Sequence, residues 1–169
     1  MRCSLLASSV LAALAACHGS LRETVGASDI DASALMAIPP PACDPPATAP
    51  DSGVCTGGAQ PGSDCLMCHH QGGGAAPYTF AGTLYDASGT QPLGGATIYL
   101  QDSAGNIATA ITRANGNFFT ADGFVTYPAK AFASLCPTVL AMVAPVDEAT
   151  GANCNTSSCH TSGFRIHLP

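Results

Sequence analysis

From Tyr78 onward the chain is cut into short runs of β-forming residues by glycine, asparagine, aspartate and proline, and this punctuation restricts it to an all-β fold. The runs are "YTFAGTLYD", "ATIYLQD", "IATAITR", "FFTADGF", "AKAFASL" and "TVLAMVAP", separated by turn stretches such as "ASGTQPLGG", "SAGN" and "ANGN". A helix needs a longer uninterrupted segment with apolar residues every three to four positions, whereas these runs alternate, as strands covered on one face do. Six or seven such strands predict a small antiparallel sandwich. Asn115-Gly116 predicts a two-residue hairpin turn, because both residues tolerate positive φ. Aromatics make up only 6% of the chain and Trp is absent, so the core must draw on Val, Ile, Leu and Ala.

Within this region "GTLYDASGTQPLGGATIYLQDSAGNIATAITRANGNF", Gly82 to Phe118, resembles the carboxypeptidase regulatory-like family of Ig-like, transthyretin-like β-sandwiches. The likeness lies in a Gly-x-Val/Leu-Tyr strand, a Pro-Leu-x-Gly-Ala turn, an alternating strand and a closing Thr-x-x-x-Gly-x-Phe, Thr112 to Phe118. It spans residues 78–145 and implies a scaffold, spacer or binding module. The fold carries no chemistry by itself, and all five histidines lie outside it.

The segments on either side differ. "MRCSLLASSVLAALAAC" has one early cation, Arg2, then a short apolar run and small residues, which is the order of an export signal over residues 1–16. Its ending, "LAAC", resembles the lipobox of bacterial lipoproteins, and that resemblance implies acylation of Cys17 and a lipid anchor in the membrane. His18 in place of Asp after Cys17 favours the outer membrane within that family. Residues 17–60 are proline-dense ("AIPPPACDPPATAPDSG") and predict a disordered or extended tether. Within it, Cys43 and Cys55 are spaced to close a small loop, which leaves Cys136 as a thiol in a strand. Ala32 to Ile38 is compatible with one helical turn.

Nine cysteines in 169 residues point to an oxidising compartment or to a cofactor that consumes thiols. In segment 61–77, Cys65-Leu-Met-Cys68-His69 has the C-x-x-C-H form of covalent haem attachment. The spacing has a geometric reason: two thiols add to the two vinyl groups of the porphyrin, and the next residue brings an imidazole to the iron. In segment 146–169, Cys154-x4-Cys159-His160 repeats the pattern with a longer spacer. Both resemble sites in the multihaem c-type cytochromes of the periplasm. That resemblance implies two haems c, thioethers at Cys65, Cys68, Cys154 and Cys159, and iron ligands among His69, His70, His160 and His167. Adjacent residues cannot reach one iron from opposite faces, so His70 is expected at a different iron from His69. The expected pairing sets His70 at the second haem and His167 at the first. The glycines at 72–74 allow a close pass to a flat ring, or serve as a flexible link into the sandwich.

Iron held by two imidazoles has no open position, which points to electron transfer and away from oxygen chemistry. The chain shows no G-x-S-x-G, P-loop or H-E-x-x-H, so it is not expected to be an enzyme. A net charge of −6 excludes a basic nucleic-acid surface and favours basic redox partner proteins. Two other readings compete: a disulfide-stapled surface lipoprotein with no redox role, and a zinc site drawing on Cys65, Cys68, His69 or His70, Cys159 and His160. The disulfide reading does not explain why a histidine follows both Cys68 and Cys159.

Overall fold

The structure, a computed structural model, describes residues 37–51, 60–121, 123, 125–147, 152–156, 159–161 and 163–169. The export signal, Cys17, His18, Cys55 and most of the expected Ala32–Ile38 turn lie outside the described residues. No helix occurs among them. Seven strands do: β1 Phe80–Tyr85, β2 Thr97–Asp102, β3 Ile107–Ile111, β4 Asn117–Thr120, β5 Ala129–Leu135, β6 Thr138–Ala141 and β7 Ile166–His167. They form two sheets, in the orders β4-β1-β7 and β3-β2-β5-β6, and the chain is an all-β sandwich. Every pairing is antiparallel except that of β7, which runs parallel to β1.

The core lies between the sheets. Phe80, Leu84 and Phe118 from the first sheet meet Ile98, Leu100, Ala108, Ala110 and Ala133 from the second. Alternation holds in β3, where Ala108 and Ala110 are buried and Ile107 and Thr109 are exposed. It fails in β1, where all six residues are buried. An antiparallel sheet with one face to water would leave every second residue exposed. Full burial of β1 therefore means that something covers its outer face, and the two cysteine-histidine segments do so.

Asn115-Gly116 does form a tight turn, with the Gly116 N–H donating to the Arg113 carbonyl at 2.7 Å and Gly116 at φ 74°. It does not close a hairpin within one sheet. β3 pairs with β2 while β4 pairs with β1, so the turn carries the chain from one sheet to the other. The β2–β3 hairpin is instead closed by Asp102, whose buried carboxylate accepts from the backbone N–H groups of Ala104 and Asn106 and from the Asn106 side chain.

Residues 37–51 run along the sandwich. Ala47 N–H donates to Gly95 O (2.9 Å), Asp44 N–H to the Ser134 hydroxyl (2.8 Å), and Lys130 Nζ to Ile38 O (3.0 Å). The disulfide is Cys43–Cys136, across a sequence separation of 93. That corrects the expected Cys43–Cys55 loop and the lone Cys136 thiol. The reason is this docking: extended chain laid on β5 brings Cys43 beside the end of that strand, where Cys136 N–H donates to Asp44 O (2.7 Å).

Candidate functional site

The first motif is one helical turn at the mouth of the sandwich. Cys68 N–H and His69 N–H both donate to the Cys65 carbonyl (3.3 and 3.1 Å), and the Asp64 carboxylate caps the turn by accepting from Met67 N–H at 2.9 Å. A single turn brings residues three apart to the same side, so Cys65 and Cys68 are neighbours with His69 just beyond. Gly73 folds the chain back beneath it, its N–H donating to His70 O at 3.0 Å. A Cβ at Gly73 would collide with the Cys68 carbonyl, so this glycine of the run is required by close backbone approach.

Both histidines of this motif are oriented by backbone. His69 Nδ1 lies 2.7 Å from Ala76 O, and His70 Nδ1 lies 3.0 Å from Leu66 O. A carbonyl can only accept, so each Nδ1 carries a proton, and in the neutral imidazole it is Nε2 that keeps the lone pair. The His69 ring also stacks on Tyr78, with centroids 3.9 Å apart and planes within 9°.

The second motif is built into the β1 edge. Ala81 N–H donates to Ala152 O (3.3 Å), Cys154 N–H donates to Ala81 O (2.9 Å), and Asn153 bridges Ala81 in parallel register. Cys154 sits against Gly82, where an added Cβ would lie 2.7 Å from the Cys154 Cβ. Burial, then the neighbouring Cys159 and Cys65 thiols, push the Cys154 thiol up to about 12. His160 N–H donates to Cys154 O (3.1 Å), and its Nδ1 lies 2.8 Å from Phe164 O, again leaving Nε2 as the lone-pair nitrogen. An open depression of about 700 Å³ is lined by Cys159, His160, Phe164, Arg165 and His167 together with the Ser88–Thr90 turn. That volume falls within the range of small-molecule and cofactor pockets.

The two motifs meet, although about ninety residues separate them in sequence. The Asn153 amide donates to the Asp64 carboxylate. The Asn155 amide donates to Ser63 O and to the Thr83 hydroxyl (2.9 Å each), and Thr83 in turn donates to Asn117 Oδ1 at 2.7 Å. Gly62 N–H completes the junction by donating to the Thr83 hydroxyl at 2.9 Å. Asn153 Oδ1 is buried here with no hydrogen-bond partner. None of these polar residues was singled out in the sequence. The signal was Thr83, a hydroxyl midway along an otherwise apolar strand.

Cys65 and Cys159 are thus both electrostatic neighbours of the Cys154 thiol, which packs against Gly82 of β1. His69 lies against Tyr78, just before the start of β1. At about 3.3 Å per strand residue, the five steps of β1 from Phe80 to Tyr85 set its two ends roughly 17 Å apart. β7 docking places His167 opposite Tyr85, where it lines the same depression as His160. The four-ligand zinc arrangement is not assembled, since among the described residues no three His, Cys, Asp or Glu side chains form a metal-holding group.

No protein family, curated protein or solved structure matches this chain.

Proposed function

We propose that this chain is an exported electron-transfer protein that carries haem c at two attachment motifs held against one face of a β-sandwich. The observation that supports this most directly is shared by three histidines: His69, His70 and His160 each anchor Nδ1 on a backbone carbonyl and keep Nε2 for a metal. That is the orientation a ligating imidazole takes, its second nitrogen held by a hydrogen bond. Cys65 and Cys68 present thiols on one turn, and Cys159 lines the large depression with the buried Cys154 thiol as its neighbour. These residues suit the group: Cys65, Cys68 and His69 would hold one haem, and Cys154, Cys159, His160 and His167 the other. The bound haem would supply a one-electron couple at iron.

The protein supplies the rest. Backbone carbonyls hold the imidazoles in one tautomer, the Asn155–Thr83–Asn117 chain holds the two motifs together, and Arg165 and Phe164 flank the second site. His70, adjacent to His69 on the same turn, cannot reach the iron of His69 from the opposite face, and with His160 and His167 at the second iron it is assigned to neither haem. The acidic surface favours basic redox partners. Anchoring through Cys17 would place the protein at a membrane, with the outer membrane favoured by the residue after it. The Cys43–Cys136 bridge accords with export to an oxidising compartment.

The bridge also favours one other reading, a disulfide-stabilised surface module without redox role, in which Cys154 would pair with one of its neighbouring thiols. Intact mass and a visible spectrum of protein made in a host with haem-maturation machinery separate the two. Mass for two haems with a reduced-minus-oxidised α-band is expected. A colourless protein whose mass drops by the hydrogens of extra bridges overturns the cytochrome reading in favour of the module.

A further inference from the structure

His69 is held by more than its backbone contact. Tyr78 lies flat on its ring at 3.9 Å, Phe119 lies on the far face of Tyr78 at 4.4 Å and 12°, and the Arg113 guanidinium caps Phe119 at 4.4 Å from the ring centroid. Arg113 is itself fixed by donating to Asp51 O at 2.6 Å. The result is a four-membered column, imidazole, phenol, phenyl, guanidinium, running across the outer face of β1 and β4. The chain around Tyr78 explains its precision. Pro77 restricts the backbone just before it, Tyr78 N–H donates to His69 O at 2.9 Å, and Thr79 N–H continues the β1–β4 ladder to Thr120 O at 2.6 Å. His160 and His70 have the carbonyl contact but no stacked ring among the described aromatic pairs.

We propose that Tyr78 is the positioning residue of the first site: stacked between His69 and Phe119, it fixes the plane of the His69 imidazole and so keeps Nδ1 on Ala76 O and Nε2 turned out as the ligand atom. A hydrogen bond alone leaves a ring free to rock about the bond, whereas a flat contact on one face removes that freedom. Parallel stacking of this kind adds attraction beyond area burial, and the Arg113 cap adds more at the far end. Its effect on iron rests on the haem reading; its effect on the imidazole does not.

The test uses the full chain with Tyr78→Leu and Tyr78→Phe. In protein without haem, nitrogen NMR of His69 reports which ring nitrogen carries the proton. Wild type and Tyr78→Phe are expected to hold the Nδ1–H form, and Tyr78→Leu to shift towards the Nε2–H form that an unrestrained imidazole prefers. In haem-loaded protein, the low-spin electron paramagnetic resonance signal of the first site should broaden or move its largest g-value in Tyr78→Leu only. No tautomer shift in Tyr78→Leu overturns the proposal, as does an equal shift in Tyr78→Phe, which keeps the ring. Should Tyr78→Leu lose the dispersed amide signals of the sheet, Phe119→Leu, which removes the support behind Tyr78, takes its place: a smaller shift in the same direction supports the proposal and none overturns it. A colourless wild type would sink the haem reading while the tautomer comparison still decides this one.

Discussion

Asn155 donates a hydrogen bond from its side-chain amide to the backbone carbonyl of Ser63 at 2.9 Å, joining the segment of the second cysteine pair to that of the first. The same amide reaches the Thr83 hydroxyl at 2.9 Å, and Asn155 Oδ1 accepts from Thr83 N–H at 3.2 Å. One side chain therefore ties both motifs to the central strand of the smaller sheet.

Asn155→Ala removes three hydrogen bonds and leaves the part-buried Ser63 carbonyl short of a donor. A loss of about 1–3 kcal/mol in unfolding free energy is expected. Hydrogen exchange should rise first at Cys154 and Ala81, whose backbone amides close the β1 junction. Unchanged exchange at these two amides would show that the junction is held elsewhere.

Thiol reactivity should rank the motif cysteines. Cys68 is exposed, whereas Cys154 is packed on Gly82 with its thiol pushed up to about 12 by burial and its thiol neighbours. The thiolate is the reacting form. Time-resolved alkylation of haem-free protein at neutral pH, read by peptide mass, is expected to label Cys68 first and Cys154 last. Early labelling of Cys154 would mean that the 152–154 segment does not stay docked on β1.

Replacing both Cys43 and Cys136 by alanine should destabilise the fold by about 4–5 kcal/mol, the chain-entropy value for closing a loop of this length, less whatever structure the unfolded chain keeps. Denaturant unfolding with and without reductant gives the same comparison in the natural chain. Protection at Asp44 and Ala47 should fall with it, since the bridge pins residues 37–51 to the sheet.

Tyr99 gives a signature at high pH. Burial, then its hydrogen bond and proximity to Asp44, raise its pKa from 10.0 to about 12. The folded state thus favours the neutral phenol. Stability from this group is fully present below pH 10 and is lost as the pH rises through about 12. Tyr99→Phe should flatten that part of the stability curve in thermal melts between pH 9 and 12; an unaltered slope would assign the alkaline loss to other groups.

Much of this architecture is set locally. Short alternating runs broken by glycine and asparagine make strands wherever they are placed, which is why β1 to β6 fall on the runs visible in the sequence, β4 starting one residue early at Asn117. The C-x-x-C-H and C-x4-C-H spacings are equally local, since their chemistry depends on residues within one turn or loop. Three things depended on tertiary contacts. Asn115-Gly116 makes a turn by its own φ preferences, but the pairing of β4 with β1 decides that the turn joins two sheets. Cys43 could not reveal Cys136 as its partner, because that choice follows from where the proline-rich chain lies on β5. The convergence of the two motifs, and the placing of His167 beside His160, rest on β7 and residues 152–155 completing the edge of β1. Such pairing is settled by backbone hydrogen bonds between segments far apart in the chain, and no local pattern encodes it.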